Sequence, residues 1–156
     1  MSVSTTVQNC IIREGIHYDV IGHPSTRDSM HTAEAAHIPG DQLAKCVLLE
    51  DETGFLMAIV PATHRVELGA LRRQLSRRLG LATEAELGGL FTDCQPGAIP
   101  PLGMAYGIET VLDESLTECT DIYFEAGDHL NIVRVTGKYF LKLLVGSRRG
   151  RFSHHV

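Results

Sequence analysis

Two short apolar runs dominate the pattern of hydrophobic and polar positions: Ala44-Lys45-Cys46-Val47-Leu48-Leu49-Glu50 and Phe55-Leu56-Met57-Ala58-Ile59-Val60. Asp51-Glu52-Thr53-Gly54 joins them, which predicts a β-hairpin with a four-residue connection. Near-continuous hydrophobicity marks strands buried on most sides, under helical cover or in a closed barrel. Residues 66–79 place Leu68, Leu71, Leu75 and Leu79 at helical spacing, with Gly80 as the stop. Arg72, Arg73, Arg77 and Arg78 lie away from that stripe. Thr83-Glu84-Ala85-Glu86 has the capping-box pattern and opens a further short helix.

The remaining chain reads more weakly. Val7, Ile11 and Ile12 suit one face of a helix within residues 5–15, capped by Thr5 or Thr6. His17 to Ile21 reads as a strand, and Ser29 to Ala36 as a helix capped by Ser29 or Thr32 and stopped by Pro39-Gly40. Further strands are expected at Tyr106–Leu112, Ile122–Glu125 and Leu130–Val135, the last two joined by a turn at Ala126-Gly127-Asp128-His129. Thr136 caps a final helix, Gly137 to Leu144, and the basic tail from Ser147 is expected to be mobile. The sum is an α+β fold, a mostly antiparallel, barrel-like sheet of six or seven strands with flanking helices. Regular βαβ alternation is missing.

Between the short helix and the later strands lies Gly97-Ala98-Ile99-Pro100-Pro101-Leu102-Gly103, preceded by Asp93-Cys94-Gln95-Pro96. Proline fixes φ and glycine admits backbone angles closed to other residues, so this is a stiff loop. It reads either as an ordinary turn or as a device presenting backbone N–H groups to a ligand.

Composition narrows the possibilities. The 156 residues suit one domain, residues 1–156, and no apolar run approaches a membrane span. No leader segment is expected at the N-terminus. Four dispersed cysteines without a C-x-x-C pair suit a reduced, cytoplasmic protein. The formal net charge of −5 argues against a protein that coats nucleic acid, so any such contact is local, and DNA is not an expected partner.

Lys45 begins a buried strand, where an ammonium needs a partner or an anionic ligand; alternatively it reaches solvent from the strand end. His129 is either a proton-transfer group or a solvated turn residue. Cys46 and Cys94 are candidate thiols, Cys46 beside a cation that lowers thiol pKa values, or else small apolar residues. The arginines of 72–78 form a solvated helix face or a docking patch for RNA phosphates. Eight histidines supply no H-x-x-x-H pair with an acid, and neither a metal nor a cofactor is expected. There is no G-x-S-x-G elbow, P-loop or G-x-G-x-x-G.

In order, His23-Pro24, Thr32-Ala33-Glu34-Ala35-Ala36, Ala44-Lys45-Cys46-Val47-Leu48, the arginine-rich helix after Val60-Pro61, the Gly97–Gly103 loop, Val111-Leu112-Asp113 and Gly127-Asp128-His129 resemble the YbaK-type, prolyl-tRNA synthetase-associated family of aminoacyl-tRNA deacylases. The resemblance runs from about residue 20 to residue 142. It implies a compact barrel-like α+β fold and hydrolysis of a mischarged aminoacyl ester at the 3′ end of tRNA, here by a free-standing trans-editing factor. It implies that Lys45 contacts the terminal nucleotide, that the Gly97 amide holds the reacting carbonyl or water, and that Pro100 shapes the loop. Cys46, Ala98, Ile99, Pro100 and His129 then form the substrate-binding set. The implied partners are aminoacyl-tRNA, best tRNA for proline carrying alanine, with cysteine or serine as alternatives, and prolyl-tRNA synthetase. Cys46 replaces a family threonine or asparagine, and Asp93-Cys94 replaces Thr-Gly ahead of the loop. The competing expectations are a non-catalytic tRNA- or ligand-binding module and a synthetase-interacting regulatory domain.

Overall fold

The computed structural model describes residues 3–24 and 28–156; Met1 and Ser2, the head of the segment read as lacking a leader, lie outside them. The elements run α1 (Thr5–Arg13), β1 (Asp19–Gly22), α2 (Ser29–Ala35), β2 (Ala44–Asp51), β3 (Gly54–Pro61), β4 (His64–Val66), α3 (Leu68–Leu75), β5 (Gly80–Leu81) and α4 (Glu84–Leu90). Then follow β6 (Glu109–Asp113), β7 (Asp121–Glu125), β8 (Asn131–Thr136), α5 (Gly137–Leu143), β9 (Arg148–Gly150) and β10 (Ser153–His155). The mixed α+β class is as expected. The extra strands beyond six or seven are the two- and three-residue ones, too short to show alternation.

The central sheet has the order β5-β2-β3-β6-β9. Its β2–β3 and β2–β5 pairs are antiparallel, whereas β3–β6 and β6–β9 are parallel. A second sheet, β1-β8-β7, is wholly antiparallel, and β10 pairs with β4. The sheets do not close into a barrel. Among the described residues they meet at a bridge between Leu43 and Tyr123.

Alternation explains the layering. Along β3, Met57 and Ile59 enter a core shared with α1, α5 and the second sheet, including Phe124 and Phe140. Leu56, Ala58 and Val60 face the other way, onto Ala70 and Leu71 of α3, Leu79 and Phe152. Both faces of the central hairpin are therefore covered, as its continuous apolar runs require. Each fully buried Phe or Leu contributes roughly 1.5–3 kcal/mol.

Local details differ from expectation for identifiable reasons. The hairpin register reaches Asp51 opposite Gly54, leaving a two-residue connection; Asp51 Oδ1 accepts the Thr53 N–H at 2.9 Å. Ser4, not Thr5 or Thr6, caps α1, because its own N–H is anchored to Ala126 O at 2.7 Å. Asp28 caps α2 in place of Ser29 or Thr32. The capping box at Thr83 and the Thr136 cap are present. Helix α3 stops at Ser76, which is left-handed with φ 53°. Leu79 is fully buried beyond the helix, its carbonyl accepting from Arg72 Nε at 2.8 Å. The tail is paired rather than mobile: β9 lies along β6, and Phe152 plugs the α3 side of the core while its N–H donates to Asp113 Oδ1 at 2.9 Å.

Candidate active site

The incomplete closure of the sheets creates the site. On its outer edge β2 is bridged at Leu43 to Tyr123 and bonded at Leu48, whose carbonyl accepts the Ala82 N–H at 3.0 Å. Between these points no strand pairs with that edge among the described residues. Hydrogen-bonding directions alternate along a strand, so the Cys46 peptide group faces the gap. A cleft of about 140 Å³ fills it, lined by Ser29, Leu43, Ala44, Lys45, Cys46, Leu48, Glu84, Leu87, Gly97, Ile99 and Glu125.

Lys45 and Cys46 are consecutive, so their side chains leave opposite faces of β2, and the cleft reaches both around the free edge. Lys45 is half-buried. Its Nζ donates to Ala62 O at 3.4 Å and makes no ion pair among the described residues. Burial, reinforced by the Arg65 charge and opposed by Asp28, lowers its pKa. The ammonium is thus placed beside the cleft with no carboxylate in ion-pair contact among the described residues, Asp28 acting on it only from a longer range. Cys46 is the reverse case. Burial pushes its thiol up to about 12, and Sγ donates to Ile99 O at 3.6 Å. A protonated thiol is a wall, not a nucleophile. Cys94 is likewise pushed up to about 11, mainly by burial.

Across the cleft stands the Gly97 loop. Gly97 has φ +82°, and a Cβ there would lie 3.2 Å from His129 Cε1, so both backbone angle and space call for glycine. The Ala98 N–H is consumed by Gln95 O at 3.1 Å, whereas those of Gly97 and Ile99 have no partner among the described residues. Ala98 and Pro100 are buried and do not line the cleft; they pack the loop from behind. His129 does not line it either. Its Nε2 lies 2.5 Å from Pro96 O, a contact that makes Nε2 the protonated nitrogen and braces the loop.

The loop is also tied to the rest of the fold. Gly127 N donates to Ala98 O at 3.0 Å, and Gln95 N to Gly127 O at 2.8 Å. Gly127 has φ +113°, and a Cβ there would meet Ser4 Cβ at 2.9 Å, so the turn and the start of α1 touch through backbone. Asp93 accepts from Thr6 N at 3.1 Å and from Tyr106 Oη at 2.8 Å. Burial opposes its charge, but hydrogen bonds from Thr6, Tyr106 and Ser4 outweigh it and hold the carboxyl well below the usual range. The Asp93-Cys94 departure is therefore a tether between α1 and the loop.

Glu125, at the end of β7, is the cleft residue that sequence reasoning missed. It is 7% exposed, and its Oε1 accepts from Thr32 Oγ1 at 3.1 Å and lies 4.0 Å from His129 Nδ1. Burial pushes its carboxyl up to about 7, against the Thr32 hydrogen bond and the His129 charge. The available signal was a carboxylate closing the apolar strand Ile122-Tyr123-Phe124, four residues before His129. The arginines are not part of this cleft. Arg77 is committed to Asp51 and Glu109. Among the described residues, no group of three His, Cys, Asp or Glu is placed to hold a metal, and no helix is long and apolar enough to cross a membrane.

A cation and free backbone donors thus line one small cleft of mixed polar and apolar walls, an arrangement able to hold an anion or the oxygen of a carbonyl. The aminoacyl-tRNA editing domain model matches residues 23–143, and the chain belongs to that family. Among solved structures, one described as a candidate trans-editing enzyme for prolyl-tRNA synthetase superposes with TM-score 0.83 at 26% identity, over 98% of this chain and 99% of that one. Hypothetical protein APE2540 superposes with TM-score 0.84 at 17% identity, over 96% and 99%. A Marinobacter aquaeolei VT8 protein described as a candidate for signal transduction gives TM-score 0.80 at 22% identity, over 97% of this chain but 31% of that one. No curated protein sequence matches significantly. Family and neighbour together support an aminoacyl-tRNA deacylase.

Proposed function

We propose that this protein is a trans-editing deacylase that hydrolyses the ester of a small amino acid mischarged onto tRNA, alanine on tRNA for proline being the leading substrate. The observation that carries this reading is the meeting of one unpaired ammonium, Lys45, with the free N–H groups of Gly97 and Ile99 on a single cleft. The Lys45 ammonium binds the 3′-terminal phosphate or ribose and fixes the ester's position. The carbonyl oxygen turns toward the loop amides, which stabilise the charge that develops as water attacks. An aminoacyl ester is already activated, so positioning and charge stabilisation suffice, with the vicinal ribose hydroxyl assisting proton transfer. No side-chain nucleophile is required, consistent with thiols that burial keeps protonated.

At about 140 Å³ the cleft is smaller than the roughly 300–1,000 Å³ of sites for whole small molecules. It suits an aminoacyl group while the nucleotide stays outside. Leu43, Leu48, Leu87 and Ile99 select by size and exclude a bulkier cognate residue, since apolar walls discriminate poorly between near-isosteres. The neighbour described as a candidate trans-editing enzyme for prolyl-tRNA synthetase supports both the trans mode and the link to that synthetase. The test is deacylation of alanyl-, seryl-, cysteinyl- and prolyl-tRNA for proline. The expected result is rapid loss of the alanyl ester with the prolyl ester spared. Bound tRNA with no ester cleaved would instead assign a non-catalytic binding module.

A further inference from the structure

We propose that the Glu125 carboxylate reads the α-ammonium group of the aminoacyl moiety, so that the cleft selects for an amino acid and not merely for a small acyl group. This rests on the reading of the cleft as an aminoacyl-ester site and adds the element that recognises the amino acid's charge.

Three observations carry it. Glu125 forms part of the cleft wall although it is 7% exposed, so its carboxylate lies at depth and not at the rim. Its Oε1 lies 3.1 Å from Thr32 Oγ1, whose single hydrogen is shared with Asp28 O at 2.9 Å, while Oε2 has no protein partner among the described residues. The neighbouring His129 cannot take over the vacant positions, because its Nε2–H is engaged by Pro96 O and its Nδ1 stands 4.0 Å from Oε1. The carboxylate is thus contacted on one oxygen and open on the other.

The ligand's chemistry matches. The terminus of an aminoacyl-tRNA carries anionic phosphates on one side of the ester and a single cation, the α-ammonium, on the other. Lys45 suits the former. The ammonium enters a pocket walled by Leu43, Leu48, Leu87 and Ile99, none of which accepts a hydrogen bond through its side chain. An unpaired ammonium there would be strongly disfavoured. Glu84 also borders the cleft but is exposed, where water competes for it. Glu125 is the buried carboxylate on this cleft among the described residues. Burial of its charge without a cation is unfavourable, as its carboxyl at about 7 reflects, and an arriving ammonium removes that cost.

The test uses two non-hydrolysable adenosine conjugates joined through a 3′ amide, one alanyl and one lactyl. They differ in replacing the ammonium by a hydroxyl of nearly the same size. Calorimetry with the wild-type protein is expected to show the alanyl conjugate bound about tenfold or more tighter. Glu125→Gln is expected to bring the two within about twofold, and Glu125→Asp, which keeps the charge, to retain the alanyl preference. A change in the alanyl-to-lactyl ratio is not produced by general loosening of the fold. Equal binding of both conjugates by wild type overturns the proposal. So does an alanyl preference that survives in Glu125→Gln, which would place ammonium recognition elsewhere. Parallel deacylation of alanyl-tRNA separates the two levels. Discrimination without ester cleavage upholds the role of Glu125 and overturns the hydrolase reading. Failure to bind either conjugate or cleave any ester overturns both.

Discussion

The two ends of β2 each hold a half-buried cation, and their surroundings differ in one respect. At the Asp51 end, Arg77 donates to Asp51 at 2.7 and 2.8 Å and to Glu109 at 2.6 Å. At the Ala44 end, Lys45 has the Ala62 carbonyl at 3.4 Å and no ion pair among the described residues. The first cation is closed off by the fold's own acids. Its partner Asp51 is held well below the usual carboxylate range chiefly by the Arg77 hydrogen bonds. The second is desolvated with no ion pair to compensate it among the described residues, and its pKa falls chiefly for that reason. A protein keeps an uncompensated buried charge where a ligand supplies the counter-charge. The contrast separates a cation closed into an ion pair from one left for a ligand, at the two ends of the same strand.

Removing the cation left for a ligand gives the largest expected effect. Lys45→Met should lower deacylation by about a hundredfold while leaving Tm unchanged or raised, because the lost ammonium was poorly solvated and unpaired. A matching fall in Tm would make Lys45 structural and erase the contrast.

Glu125 extends the comparison to an anion. Its carboxyl titrates at about 7 in the folded protein against an ordinary 4.5, so the unfolded chain loses its proton first as pH rises. Wild type therefore loses stability between pH 4.5 and 7, on the order of 3 kcal/mol, and the loss levels off above that window. Denaturant titrations should show Glu125→Gln gaining on wild type across this interval. A pH-independent gap would mean that Glu125 carries no buried charge.

Gly97→Ala tests the other wall. At φ +82°, with His129 Cε1 3.2 Å from the new Cβ, the loop must shift. About a tenfold loss of turnover is expected, with roughly 1–2 kcal/mol of stability. Unchanged single-turnover rates would remove the loop from the chemistry.

The smallest effect on turnover should come from Arg77→Met, within about twofold, although its Tm falls. Because the Asp51 carboxyl is depressed in the folded state, the pair's contribution is complete above the ordinary value of 3.8 and declines as pH drops below it. The Tm difference between wild type and Arg77→Met should shrink in acid. A constant difference would show that the pair is not what holds this end of the sheet.

How much of this was legible in the sequence depends on the range over which each feature is determined. The β2–β3 hairpin, the Thr83 capping box and the Gly97 loop are written in a few consecutive residues and were readable. Lys45 was readable because a charge inside an apolar strand is conspicuous. Glu125 was not, since β7 brings it to the cleft from a distant part of the chain and nothing local marks it. Ala98 and Pro100 stand in the same motif as Gly97 and Ile99, yet they turn inward. The direction of a side chain in an irregular loop is set by packing and not by composition. The paired tail was hidden for a similar reason. Three-residue strands have no periodicity, and Phe152 finds its place only once α3 and β6 exist. Leu79 misled in the opposite sense, keeping helical spacing past the point where Ser76 turns the chain.

The most direct test of the central claim is single-turnover hydrolysis of alanylated tRNA for proline by wild type, Lys45→Met and Arg77→Met, read alongside their melting temperatures. The account predicts that Lys45→Met abolishes most of the turnover in a fully stable protein and that Arg77→Met keeps it in a weakened one. Turnover that survives in Lys45→Met, or that falls only in step with stability in both variants, would contradict it.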